Sequence, residues 1–341
     1  MCINKQGKAT TIKDIAARAN VSMGTVSRVL NKSDLVSRST KKKVERIAEE
    51  LGYIPNEMAR SLLRNKSHTI ALIAPDLTNP FFVELFRGIE EVMSREGYYI
   101  FVCNTKYEKE NEHRYTMEMI GRGVDGIIFT SLYHHNEALF NLVKKNVSAV
   151  TVQTRIEDIN CILANVTEAG IEACMHLFEL GHRKIGYVCL DRNQTVDRLS
   201  AYLRAHERAG VAVREEYIVD GYPLDSLGHM AAKQLLELPD PPTAIQFYND
   251  YTALGAYNAI LDKGLRIPED ISVVGYDDIP IAKLLSPPLT TVAQPILDIG
   301  RSAGETLLNM IKHESSQLAR EVWLPTKLVI RDSTAKPGRD K

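Results

Sequence analysis

From residue 69 onward the chain alternates short apolar runs with longer amphipathic segments, a rhythm that few architectures tolerate. The apolar runs at 70–75, 99–103, 126–130 and 149–153 lack polar alternation, so both faces of each must be covered, as in the strands of a parallel sheet. The segments between them, near 81–96, 110–121 and 136–146, have the period and length of covering helices. A second series follows, with strands expected at 161–164, 184–190, 217–219, 244–247 and 272–276. Its helices fall near 166–180, 196–209, 225–237 and 251–263. The body at 69–333 therefore reads as one α/β architecture used twice, without a fixed-period repeat. The run 289–294 is expected to cross back to the first lobe, ahead of a helix near 296–313 and a terminal segment at 322–331. This gives lobe one as about 69–158 plus 292–333 and lobe two as about 159–291.

A segment of opposite charge precedes that body. Residues 1–67 hold 14 Lys and Arg against 6 Asp and Glu, whereas the remaining 274 hold 28 against 37. A polyanion can bind the first part while the second repels it, a contrast that the net charge of -1 conceals. Within the basic part, Thr11 and Asp14 form the two halves of a capping box, and Ile12, Ile15 and Ala16 share one face of a helix ending near Asn20. Ser22 can cap a second helix, about 23–30, with Val26, Val29 and Leu30 inward. Ser37 or Ser39 starts a third, about 40–51, with Val44, Ile47, Ala48 and Leu51 as its stripe. Three short helices with a tight turn between the first two describe a helix-turn-helix bundle over 9–54. On the second helix Met23, Gly24, Thr25, Ser27 and Arg28 face outward or lie at the N-terminal end, where side chains can enter a major groove. Arg28 can donate two hydrogen bonds to guanine, while Thr25 and Ser27 suit phosphate oxygens. Residues 55–68 read as a hinge helix and linker. Asn56 can cap a helix of six or seven residues, well short of the roughly 12–15 that persist alone in water. Leu62 on that helix can pack on a symmetry mate, wedge between base pairs from the minor groove, or rest on its own chain.

The text at 11–16, 21–31, 36–40, 51–56 and 59–62 resembles the lactose/galactose repressor family of bacterial transcription regulators. The match continues through Asn79-Pro80-Phe81-Phe82, Val124-Asp125-Gly126, Gly181-His182, Asn249-Asp250, Gly275-Tyr276-Asp277-Asp278 and Leu289-Thr290-Thr291. It spans about 10–333. The resemblance implies an N-terminal helix-turn-helix bundle and hinge helix joined to a two-lobed, periplasmic-binding-protein-like α/β core with parallel sheets. It implies a repressor acting as a homodimer on pseudo-palindromic double-stranded operator DNA, with the second helix in the major groove and the hinge leucine in the minor groove. Combined with the helix reading, it places DNA contacts at Thr11, Ser22, Met23, Gly24, Thr25, Ser27, Arg28, Asn31, Tyr53, Asn56, Ala59, Arg60 and Leu62. Met23 and Gly24 fall at two of the family's base-reading positions, and Asn20 stands where family turns usually carry glycine.

Two α/β lobes form a cleft at the carboxyl ends of their strands, where open sheets bind ligands. Asp76, Gln153, Asp250 and Asp277 fall at such ends, and Arg198 faces the cleft if its helix starts near 196. With Phe81 or Phe82 against a ring, these suit a small hydroxylated effector: carboxylates accept hydroxyl protons and the guanidinium donates to oxygens. Structural uses compete with binding. Asp277 and Asp278 can cap a turn, Arg198 can pair with Asp191 or Asp197, and Asp250 can cap a helix. The resemblance implies effector binding at Arg198 and Asp250, with a sugar or sugar phosphate as effector. Gln153 donates as well as accepts, so a neutral-sugar template does not transfer to it unchanged. A regulator dependent on a co-repressor or a partner protein remains an alternative, as does a two-lobed sugar-binding protein or enzyme fused to a DNA-binding head.

Catalytic readings find little support. Gly121 to Gly126 satisfies a dinucleotide-binding pattern in letters, but it follows a helix and leads into a strand, the reverse of what phosphate binding needs. His134 and His135 are sequence neighbours that diverge in direction, without the spacing of metal ligands. No enzyme activity, cofactor or metal is expected. Cys2, Cys103, Cys161, Cys174 and Cys189 form an odd, unpatterned set that suits a reducing cytoplasm. No apolar run approaches the roughly 18 residues of a membrane span, so the expected location is cytoplasmic, on the nucleoid when operator-bound.

Overall fold

Thr11 opens α1 (Ile12–Ala19) with a complete capping box: its hydroxyl accepts the Asp14 N–H at 3.4 Å, and the Asp14 carboxylate takes the Thr11 N–H at 2.8 Å. The Thr11 hydroxyl also donates to Asp14 Oδ2 at 2.7 Å, and this bond, with that from the Thr11 N–H, holds the Asp14 carboxyl below the usual carboxylate range. The structure is a computed structural model and describes residues 10–30, 35–53, 66–130, 137–192, 196–220, 226–313 and 319–338. α1 ends on Asn20 in the left-handed conformation, φ 52°, where its N–H returns to the Ala16 and Ala17 carbonyls. Ser22 then caps α2 (Met23–Leu30), accepting the Thr25 N–H at 3.1 Å. Of the two serines that could start the third helix, Ser37 does so, capping α3 (Arg38–Glu50) through the Thr40 N–H. Ile15, Ala16, Ala19, Val26, Val29, Val44, Ile47 and Ala48 close one small core. Ala16 sits where α1 and α2 meet, which demands a short side chain.

The second unit, His68–Lys341, holds two six-stranded sheets. The first contains β1 (Thr69–Ala74), β2 (Tyr99–Asn104), β3 (Gly126–Thr130), β4 (Ser148–Val152), β5 (Asn160–Ala164) and a late strand, β11 (Glu321–Leu324). Their order is β11-β5-β4-β3-β1-β2, parallel throughout. The second contains β6 (Ile185–Val188), β7 (Ile218–Val219), β8 (Ala244–Phe247), β9 (Ser272–Asp277), β10 (Thr290–Ala293) and β12 (Lys327–Val329). Its order is β12-β10-β9-β8-β6-β7, with only β12 antiparallel to its neighbour. The covering helices are α4 (Pro80–Arg95), α5 (Lys109–Gly121) and α6 (Glu137–Asn146) around the first sheet. Around the second lie α7 (Val166–Leu180), α8 (Val196–Ala209), α9 (Leu227–Leu236) and α10 (Asp250–Asp262). α11 (Ile296–His313) packs on α4 and on β3, β4 and β5.

Three strand allocations differ from expectation, the first being that 327–329, expected in the first lobe, pairs with β10 in the second sheet because the terminal segment splits between the two sheets. The segment 160–164 does not begin the second lobe; it pairs with β4, Val150 opposite Asn160, inside the first sheet. Parallel neighbours normally need a crossover of a dozen or more residues, and the loop before β5 is shorter, so this pairing is an unusual one. Likewise 290–293 stays with β9 in the second sheet, so the return to the first lobe falls after β10 rather than before it. The backbone thus passes between lobes three times: after β5, after β10, and between β11 and β12. α4 and α11 approach so closely that a Cβ on Gly88 would lie 2.2 Å from the Leu297 carbonyl oxygen, a contact only glycine permits. Among the described residues no helix is long and apolar enough to cross a membrane.

Candidate DNA-reading surface and effector cleft

In the first unit, the amphipathic pattern of α2 turns Val26 and Val29 into the core and leaves the other side out. Ser22, Met23, Gly24 and Arg28 are exposed, and Thr25 and Ser27 are half-buried. A side chain at position 24 would meet open space, since an added Cβ has only the Ser22 hydroxyl nearby at 3.7 Å. Thr11 is exposed at the start of α1, and Lys13 and Arg38 are exposed as well. Tyr53 packs against the head core with its N–H on the Ala48 carbonyl, so part of its ring serves the fold. Arg18 and Arg46 converge on Glu50 at 3.6 and 3.5 Å. The expected contacts at Asn31, Asn56, Ala59, Arg60 and Leu62, together with the hinge helix and the His134-His135 pair, lie outside the described residues.

In the second unit, a cleft of about 520 Å³ opens at the carboxyl ends of both sheets. Phe81 and Phe82 reach it from the start of α4, their rings edge to face at 5.2 Å, because Asn79 caps that helix and fixes its first turn. Gln153 follows β4 in the left-handed conformation, φ 61°, and Asp277 ends β9 at φ 110°. Both are strained for a residue with a side chain. A chain of polar groups joins them: Gln153 Nε2 donates to Gln294 Oε1 at 2.6 Å, and Gln294 Nε2 donates to Asp277 Oδ1 at 2.6 Å. Arg198 continues it, donating to Asp277 at 3.2 Å and to the Tyr248 carbonyl, with its guanidinium 4.2 Å from the Tyr276 ring centre. Burial pushes the Asp277 carboxyl up to about 6, against the opposing pull of Arg198 and Gln294. Such a floor presents an acceptor, donors and aromatic faces together, suited to holding a small hydroxylated molecule.

Phe81, Phe82, Gln153, Arg198 and Asp277 thus line one cavity. Asp76 and Asp250 do not. The Asp76 carboxylate is taken by Thr78, whose N–H and hydroxyl donate to it at 2.8 and 2.7 Å. Asp250 is fully buried, accepting the Thr291 hydroxyl at 2.6 Å and the Ile279 N–H at 2.9 Å. Its neighbour Asn249 takes both the capping role, accepting the Thr252 N–H at 2.8 Å, and the place in the cleft wall. Sequence reasoning missed Asn249, Tyr248, Asn165 and Leu190, which follow β8, β5 and β6 and were accessible to the same strand-end rule. Trp323 it also missed. Its strand carries charge and exposure rather than an apolar run.

The comparisons with known proteins agree with this geometry. Residues 11–56 match the model of "Bacterial regulatory proteins, lacI family", and 174–334 match "Periplasmic binding protein-like domain". The chain is 35% identical over 343 residues to the HTH-type transcriptional repressor CytR of Escherichia coli (strain K12), covering 98% of this chain and 99% of that one. The protein belongs to the lacI family. Like its relatives it is a sequence-specific DNA-binding transcriptional regulator, not an enzyme. Among solved lacI-family structures, a lac repressor dimer bound to operator and the anti-inducer ONPF matches with a TM-score of 0.82 and 29% identity, over 96% of this chain and 100% of that one. A regulator from Enterococcus faecium with bound ribose matches with a TM-score of 0.71 and 30% identity, over 79% and 99%.

Proposed function

We propose that this lacI-family chain binds a pseudo-palindromic operator as a homodimer through α2, and that a small effector in the cleft sets operator affinity. A sugar or sugar phosphate is the effector class first suggested by the sequence. The observation that carries the reading is the exposed row Ser22, Met23, Gly24 and Arg28 on a helix held by a basic three-helix head. Base contacts are assigned to Met23 and Arg28, and phosphate contacts to Thr11, Thr25, Ser27, Lys13 and Arg38. The lac repressor dimer bound to operator, and the Enterococcus faecium regulator with bound ribose, support the operator and effector parts. Selection of duplexes from a random pool, repeated with sugars and sugar phosphates, tests both. Failure to enrich any sequence across a broad range of salt overturns the reading. Arg28→Ala is expected to relax base preference at one position by about 1–3 kcal/mol. Lys13→Ala or Arg38→Ala should instead weaken all duplexes alike and lower the log–log salt slope by about 0.9 each. Competition between matched and scrambled duplexes separates these outcomes, and equal discrimination by wild type and R28A refutes the assignment.

For the dimer, β2 is a sheet edge with Tyr99 76% exposed and Phe101 also open to solvent, a strand left uncovered among the described residues, which a second copy would cover. Joint replacement of Tyr99 and Phe101 by lysine is expected to shift sedimentation toward the monomer and to weaken operator binding. A variant that sediments as wild type does would place the interface elsewhere.

A further inference from the structure

The chain has a single tryptophan, Trp323, and it stands in the wall of the cleft. It lies on β11, the edge strand of the first sheet, opposite Leu163 of β5, and is 49% exposed. Its neighbours fix its orientation. The indole N–H donates to Glu321 Oε2 at 3.1 Å, Glu321 Oε1 takes Arg155 Nε at 3.1 Å, and the Arg155 guanidinium lies over the indole 4.9 Å from its ring centre. Folding gains nothing from the exposed part of so large an apolar ring. Oriented by these contacts within a concave wall, it offers a flat apolar face to the cleft. An indole covers the C–H face of a sugar ring or the π face of a heterocycle while losing little freedom of its own.

The charges of the wall narrow the partner further. Both guanidinium groups that line it, Arg155 and Arg198, already face carboxylates, Glu321 and Asp277, and Asp197 adds another negative group. Among the described residues of the wall, a phosphate would find no unbalanced cation.

We propose that Trp323 is a specificity-determining residue of the cleft, the surface on which the ring of an uncharged, ring-bearing effector stacks. This rests on the cleft being the effector site, and it replaces the sugar phosphate of the sequence reading by a neutral ring compound. The test uses the full chain with D-ribose, cellobiose, adenosine and uridine as ring probes. Ribitol serves as the acyclic control and ribose 5-phosphate as the charged one. Binding is followed by calorimetry and by the emission of the one tryptophan. At least one ring probe is expected to bind and shift that emission, with ribitol and ribose 5-phosphate weaker by about tenfold or more. Trp323→Ala should cost that probe about tenfold or more, whereas Trp323→Phe should stay within about threefold of wild type. A thermal melt of W323A confirms that the variant folds. Unchanged affinity in W323A, or binding with no change in emission, overturns the role of Trp323 and leaves the cleft as effector site intact. Preference for ribose 5-phosphate or ribitol overturns the neutral-ring class. No binding by any probe, with no change in operator affinity, removes the effector reading and this inference together.

Discussion

Asp250→Ala is expected to lower the unfolding free energy by about 3 kcal/mol, although Asp250 touches no cleft surface. The residue is fully buried and accepts two hydrogen bonds, from the Thr291 hydroxyl at 2.6 Å and the Ile279 N–H at 2.9 Å. Alanine would strand both donors inside the protein, each at a cost of about 1–3 kcal/mol, and leave a small void beside them. Burial, and after it the charge of Asp277, push the Asp250 carboxyl well above the usual range, so this group already resists ionising. Asp250→Asn should therefore be mild, within about 1 kcal/mol. The amide oxygen can keep the Ile279 N–H while the amide nitrogen donates to the Thr291 oxygen. Urea unfolding followed by circular dichroism measures both. An alanine variant within about 1 kcal/mol of wild type would mean that the buried carboxyl is not the tie between β10 and the segment after β9.

The second large effect concerns pH. Glu112 on α5 is buried, its Oε1 has no hydrogen-bond partner among the described residues, and burial pushes its carboxyl from 4.5 up to about 7. The folded protein therefore holds this proton at pH values where the unfolded chain has released it. Stability is unaffected by the group below pH 4.5, declines as pH rises from 4.5 to about 7, and is level above that. Across the window the loss approaches about 3 kcal/mol. Glu112→Gln removes the titration, so the variant should gain about that much over wild type between pH 4 and pH 8, read from unfolding midpoints at both. Parallel pH profiles for the two proteins would show that Glu112 ionises in the folded state as freely as in the unfolded one.

What the sequence displayed and what it hid divide along the range of the interactions involved. The Thr11–Asp14 box, the Ser22 cap and the left-handed Asn20 depend on residues within a few positions of each other, and each formed where the letters indicated. The lobe to which 160–164 and 290–293 belong depends on pairing across the sheet, and local pattern carries no record of that. At the start of α10 the helix turns about 100° per residue. Asn249 and Asp250 consequently look in different directions, one into the cleft and one into the interior, and composition alone does not set that phase. Asp76 was readable in hindsight: an aspartate two residues before a threonine often closes a turn on itself. Trp323 carried no signal because its strand becomes part of the cleft only through a return of the chain from more than 150 residues away.

The threefold passage of the backbone between the lobes has a mechanical meaning. Two bodies stitched at a single point could swivel about it in any direction. With three tethers, a swivel about any one of them would drag on the other two. Any relative motion of the two lobes must therefore deform three connections together. A protease that severed one tether would leave the two halves bound by the others.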